Sequence, residues 1–349
     1  MGGLACAELD ESADGGGRRD AVGASLEGGS ANLPACSAKE AVQLDPQQAD
    51  VLILLDRSGS MDTAFGSSTR YQSVASLLAD VAASYAGRVR FGFQELPGRQ
   101  GCGGQALAAC CASPPTVGVA WDNTAAVVAA IAGAAPLDGS TPTAAALQAA
   151  RGYYDSLGDG IENRYVLLAT DGAPNCTLAG ALSSGGTPEA GACADALAEV
   201  GALVADSVRV IVLGVGPDLA DDATPGATCL DAMAHAGGSA ASPGSPGYYA
   251  AGDTGQLQLA VEQIFGGVAR PSCLLRFRSK IQDTSTIAVF LDGQRIPRTT
   301  GNGWELDTTQ DPPAVRITGE YCAEIQEFRV SSIEARFGCP PCVDIAGCT

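Results

Sequence analysis

Three uninterrupted apolar runs constrain this chain more than any other feature: Val51-Leu52-Ile53-Leu54-Leu55, Tyr165-Val166-Leu167-Leu168-Ala169, and Val208 to Val215. A strand with one wet face alternates polar and apolar residues, whereas a run that is apolar throughout must be covered on both faces. Val89 to Phe93 reads as a further strand. Between the runs the period changes. Val74, Leu77, Leu78, Val81 and Tyr85 recur at helical spacing, and helices are expected at Thr124 to Ile131, Thr143 to Leu157, about Glu189 to Ala205, and Asp253 to Phe265. The Thr143 helix is expected to open with Thr141 as its N-cap and Pro142 in the first helical position. Buried strands alternating with helices mean an α/β class: a doubly wound, mostly parallel sheet flanked by helices, over residues 49–270.

The flanks have a different texture. Residues 1–48 are rich in Gly, Ala, Ser, Asp and Glu, with almost no large apolar side chain to offset ordering entropy, so a disordered tether is expected there. After Pro271 short alternating stretches appear at Thr286 to Leu291, Val315 to Ile317 and Phe328 to Val330, with a turn signal at Asp292-Gly293. These predict a small Cys-containing β module over residues 271–349.

Three polar clusters punctuate the α/β region. Asp56-Arg57-Ser58-Gly59-Ser60-Met61 follows the first run, Gly139-Ser140-Thr141-Pro142 precedes a helix, and Thr170-Asp171-Gly172 follows the Tyr165 run. An open parallel sheet binds its ligands outside the carboxyl ends of its strands, where all three would converge. Each alone has a plain structural explanation: a Ser- and Gly-rich turn, a helix cap, a tight turn. Together they offer hydroxyls and carboxylates without imidazole or thiolate, a donor set for a hard cation such as Mg²⁺, Mn²⁺ or Ca²⁺.

The D-x-S-x-S motif at Asp56-Arg57-Ser58-Gly59-Ser60, the G-S-T-P turn at Gly139 and the T-D-G turn at Thr170 resemble the von Willebrand factor type A (VWA) domain and its metal-ion-dependent adhesion site (MIDAS), over about residues 48 to 270. The resemblance implies that Ser58, Ser60 and Thr141 supply hydroxyl ligands, and that Asp56 and Asp171 bind the cation directly or through water. It implies a protein ligand whose Asp or Glu completes the coordination. The alternative is a non-enzymatic assembly scaffold with a structural metal site, in which the C-terminal β module makes the contacts. Asp62 is read as an exposed turn acid, although some relatives place a second cation there.

Enzymatic chemistry finds few parts. The single histidine, His235, has no recognisable nucleophile partner, neither Lys39 nor Lys280 completes a phosphate-binding loop, and Gly214-Val215-Gly216 lacks the third glycine of a dinucleotide fingerprint. No enzyme activity is expected. The balance of 20 Lys and Arg against 39 Asp and Glu gives a net charge of -19, which repels a nucleic-acid backbone and favours divalent cations.

Thirteen cysteines exceed what a reducing cytosol usually tolerates and point to disulfides in an exported protein. Cys176 with Cys193 and Cys273 with Cys322 are the expected bridges, and the Cys102, Cys110 and Cys111 loop is expected to be disulfide-stapled. A zinc site at Cys339, Cys342 and Cys348 is the rival reading, with no histidine near it in sequence. No apolar stretch is long enough to span a membrane. Leu4-Ala5-Cys6 looks like the end of a bacterial lipoprotein signal, with Gly3 where Leu is usual. On that reading Cys6 is a lipid anchor, the start codon lies upstream, and the protein is secreted or in the cell envelope.

Overall fold

A computed structural model describes residues 40–43, 49–98, 110–137, 140–158, 163–180, 191–219, 224–244, 246–277, 287–308 and 313–337. The chain divides into two compact units: Gln48–Arg270, and a second that joins Met1–Gln47 to Pro271–Thr349. The first described element, strand β1 (Glu40–Gln43), belongs to the second unit.

The larger unit runs β2 (Ala49–Asp56), a two-strand ribbon β3 (Ala64–Phe65) and β4 (Ser68–Thr69), α1 (Arg70–Ser84), β5 (Val89–Leu96), β6 (Val117–Ala120), α2 (Thr124–Gly133), α3 (Thr143–Ser156), β7 (Arg164–Thr170), α4 (Ala192–Ala205), β8 (Val208–Val215), α5 (Pro225–Ala236), β9 (Tyr249–Ala251) and α6 (Thr254–Val268). Its six-stranded sheet has the order β6-β5-β2-β7-β8-β9, parallel throughout except for β6, which runs antiparallel to β5.

All eight residues of β2 are buried, and they explain the apolar run. Val51, Ile53 and Leu55 face a core shared with Val74 and Leu78 of α1, Ile131 of α2 and Ile264 of α6. Leu52 and Leu54 face the opposite core, with Leu147 of α3, Val200 of α4 and Leu230 of α5. Three helices thus cover each face. The chain winds one way from β2 to β5 and the other way from β7 onward, so the reversal lies between β2 and β7. In sheets of this kind, that is where the strand ends open a ligand crevice.

The smaller unit holds two antiparallel sheets. Its further elements are β10 (Leu274–Arg276), β11 (Ala288–Leu291), β12 (Gln294–Ile296), β13 (Gly303–Asp307), β14 (Ala314–Thr318), α7 (Glu320–Gln326) and β15 (Ile333–Phe337). The sheet orders are β1-β15-β11-β12 and β10-β14-β13. Leu275, Val289, Trp304, Val315, Ile325 and Ile333 build its core. Asp292 (φ 46°) and Gly293 (φ 81°) form the two-residue turn joining β11 to β12, the backbone that such a hairpin demands.

Several expectations shift. Glu40–Gln43 falls inside the segment read as a tether, yet it pairs with β15 in register from Glu40 opposite Phe337 to Gln43 opposite Glu334. Strand addition satisfies the backbone through a partner's ladder and needs no apolar run of its own. Phe328 to Val330 is a turn after α7, because Phe328 adopts φ 57° and its N–H bonds the carbonyl of Ile325; the strand begins at Ile333. The N-cap of α3 is Pro142, with no side-chain cap bond, so Thr141 lies one residue outside and does not cap the helix.

Bridges between described residues include Cys110–Cys176, Cys193–Cys229 and Cys273–Cys322. The last is as expected, whereas Cys176 and Cys193 take other partners: Cys193 on α4 meets Cys229 on the adjacent α5, and Cys176 meets the loop exit at Cys110. Cys111 is also disulfide-bonded. Cys6, Cys102 and the Cys339, Cys342 and Cys348 group lie outside the described residues. Among the described residues no helix is long and apolar enough to cross a membrane.

Candidate metal centre

Asp56 is the last residue of β2 and Thr170 the last of the neighbouring β7, so parallel pairing brings both to the crevice edge. The Asp56 carboxylate is completely buried. Its Oδ1 accepts the Ser58 N–H at 2.8 Å, and its Oδ2 accepts the Thr170 hydroxyl at 2.5 Å. The chain then turns through a short 3-10 segment, Gly59–Asp62, pinned by buried Met61, which brings Ser60 back over the crevice. Ser58 Oγ and Ser60 Oγ stand 3.1 Å apart, and Ser60 Oγ donates to Asp171 Oδ1 at 2.8 Å. Four of the five expected site residues, Asp56, Ser58, Ser60 and Asp171, thus form one continuous network.

Thr141 is brought in through its backbone. Its N–H donates to Asn175 Oδ1 at 2.7 Å, and its carbonyl accepts the Asn175 N–H at 3.3 Å. Asn175 sits in the loop that carries Asp171, so Thr141 and the Thr170 turn are clasped together. The Cys110–Cys176 bridge secures that loop one residue further on.

Burial governs the electrostatics. It pushes the Asp56 carboxyl up to about 7, and the neighbouring Asp171 charge pushes in the same direction, against the Thr170 and Ser58 bonds. Asp171 is also raised, again chiefly by burial, although Arg70 and Ser60 hold its charged form. Two buried carboxylates that resist ionising side by side, with two hydroxyls between them, fit a divalent cation: positive charge there removes both the repulsion and the desolvation cost. Among the described residues there is no group of three or more His, Cys, Asp or Glu suited to a metal, so any cation here relies on hydroxyl oxygens.

Four residues that shape the centre escaped the sequence reading. Arg57, the variable residue of the D-x-S-x-S motif, is buried; its Nε donates to the Pro97 carbonyl at 2.9 Å and its Nη1 to the Ala135 carbonyl at 3.3 Å, gathering two neighbouring loops. Thr170 was visible only as part of a turn. Asn175 carried no motif. Arg70, at the first position of α1, reaches Asp171 Oδ2 at 2.9 Å and also bonds Asp218. A buried cation that pairs with a motif acid can be suspected from a lone arginine at a helix start, but its partner cannot be named from sequence. Asp62 is exposed at the end of the 3-10 segment. His235, on α5, lies 3.5 Å from Asp231.

No family model matches the chain, and neither does any curated protein. Among solved structures it is similar to the conserved hypothetical protein BatB from Bacteroides thetaiotaomicron, at 17% identity and TM-score 0.45, over 63% of this chain and 98% of that one. It is similar to the pilus adhesin SpaC from Lactobacillus rhamnosus GG in its open conformation, at 14% identity and TM-score 0.46, over 84% of this chain and 39% of the adhesin. A third likeness is to proximal thread matrix protein 1 from the mussel byssus with a zinc-occupied MIDAS motif, at 16% identity and TM-score 0.41, over 66% of this chain and 51% of that one. The chain thus spans about half or less of the latter two proteins.

Proposed function

We propose that the larger unit is a divalent-cation-dependent protein-binding module of the VWA type, belonging to an exported or cell-envelope protein, and that it is not an enzyme. The observation that carries this reading is the Asp56, Ser58, Ser60 and Asp171 network at the β2/β7 crevice, with Thr141 clasped to the Asp171 loop. Asp56, Ser58, Ser60, Thr141 and Asp171 would hold a cation such as Mg²⁺ or Mn²⁺. When bound, the cation supplies a Lewis-acidic centre whose remaining position takes an oxygen from a partner's Asp or Glu. The protein's own part is to keep the oxygens in place, with Asp56, Ser58, Thr141 and Asp171 buried and Ser60 at the open side. Asp56 at a strand end and Asp171 just after one do this better than acids on a free loop, because packing locks their rotamers.

Disulfides support the exported setting, since bridges of this number form and persist outside a reducing compartment. The test is an isothermal titration of Mg²⁺ and Mn²⁺ into the oxidised full chain and into a Ser58→Ala, Ser60→Ala double variant. Binding confined to the unsubstituted protein is the expected result. Equal binding to both, or none to either, would overturn the reading.

A further inference from the structure

Arg70 joins the proposed cation centre from outside the motif. Its guanidinium is nearly buried and spans the crevice edge, with Nη1 on Asp171 Oδ2 at 2.9 Å and Nη2 on Asp218 in the short segment after β8. The glycine at residue 216 leaves space for the side chain in this position. A Cβ at Gly216 would stand 2.8 Å from Arg70 Cζ and 2.9 Å from its Nε, and the glycine's φ of 130° is one that side chains rarely adopt. The Gly214-Val215-Gly216 stretch, no use as a nucleotide loop, thus serves at its second glycine to seat a guanidinium.

The consequence concerns oxygen count. With Oδ2 held by Arg70, Asp171 has only Oδ1 facing Ser60. Asp56 accepts at both oxygens, from the Ser58 N–H and the Thr170 hydroxyl. A neutral donor leaves each Asp56 oxygen a second lone pair for a cation, whereas the charged guanidinium on Asp171 Oδ2 repels a cation from that oxygen. Ca²⁺ takes about six to eight oxygens and commonly uses bidentate carboxylates, whereas Mg²⁺ is content with six single oxygens, some from water. Of the two acids, Asp171 is held by a side chain that can be removed without touching the strand-end hydrogen bonds.

We propose that Arg70 is a positioning residue that sets the cation preference: by occupying Asp171 Oδ2 it limits this acid to one oxygen and favours small octahedral ions over Ca²⁺. The inference rests on the cation-binding reading above. It differs from a purely structural role, which would weaken both ions in proportion.

The experiment titrates Mg²⁺ alone and Ca²⁺ alone into the oxidised full chain, Arg70→Met, Arg70→Lys and Gly216→Ala, with a thermal melt of each to confirm cooperative folding. Arg70→Met keeps the apolar stem and frees Oδ2, so the ratio of the two dissociation constants should move toward Ca²⁺ by about tenfold or more as a second oxygen becomes available. Arg70→Lys retains a donor and should keep the unsubstituted ratio. Gly216→Ala drives the guanidinium off its seat from the other side and should shift the ratio as Arg70→Met does. If one of these two variants does not melt cooperatively, the other decides. An unchanged ratio, or both affinities falling together, overturns the proposal while leaving the cation site intact. Absence of any binding to the unsubstituted chain instead overturns the functional reading on which it rests, and this proposal with it.

Discussion

The Thr170 hydroxyl donates to the Oδ2 of Asp56, joining the last residues of two adjacent parallel strands at the bottom of the crevice. Both residues are fully buried, so water cannot replace the bond if it is lost. The threonine is therefore bound to the charge state of its neighbour as well as to its own strand.

Thr170→Val keeps the volume and removes the donor. Leaving a buried carboxylate oxygen short of a partner should cost about 1–3 kcal/mol of stability. Urea denaturation in the presence of a chelator measures it, and a midpoint unchanged from the parent protein would refute the assignment.

Asn175→Ala removes the acceptor for the Thr141 N–H while leaving the backbone bond from the Asn175 N–H to the Thr141 carbonyl. A stability loss of about 1 kcal/mol is expected for one such hydrogen bond. On the proposed function, Mg²⁺ binding should weaken as well, because the Thr141 N–H is no longer held by the Asp171 loop. Asn175→Asp, which keeps an oxygen in place, should bind at least as well as the parent. Calorimetry on the three proteins separates these outcomes.

At the opposite end of β2, Asp50 is buried and grips Arg90 through two bonds of 2.6 and 2.7 Å. Burial pushes its carboxyl above the ordinary 3.8 in spite of Arg90. A raised folded value means that the folded chain holds this proton more tightly than the unfolded one. The Asp50 contribution is therefore fully present below pH 3.8 and is lost as the pH rises through the raised folded value. Arg90→Met takes away the opposing charge and should lift that value further. The variant should lose about 3–5 kcal/mol near neutrality, as expected for a buried charge stripped of its partner. The gap to the parent should narrow toward acid pH; denaturation at several pH values tests this, and a gap constant with pH would contradict it.

Local composition made much of this architecture legible. The runs at Val51, Tyr165 and Val208 are strands because nothing polar interrupts them, and their two-sided burial follows. The short edge strands β6 and β9 and the Pro225–Ala236 helix left weaker traces, since edges bury less and α5 carries its apolar residues among small ones. At the site, motif order located Asp56, Ser58, Ser60, Thr141 and Asp171, but only tertiary pairing could show that Thr141 enters by its backbone or that Arg70 takes one oxygen of Asp171. Disulfide partners divide in the same way. Cys273 and Cys322 join neighbouring elements of the small unit, whereas Cys110 and Cys176 meet because two loops emerge at one sheet edge, which sequence distance conceals.

Because β1 lies before the larger unit in sequence and pairs with β15, which lies after it, the order of synthesis matters. Every strand of the six-stranded sheet leaves the ribosome before β15 exists. β1 must therefore wait, unmatched, while the larger unit is made, and the four-stranded sheet can close only after β15 has been made. A fragment that begins at residue 49 would retain the whole six-stranded sheet but leave β15 with an uncovered flank. Such a flank is a template on which a second chain can add a strand.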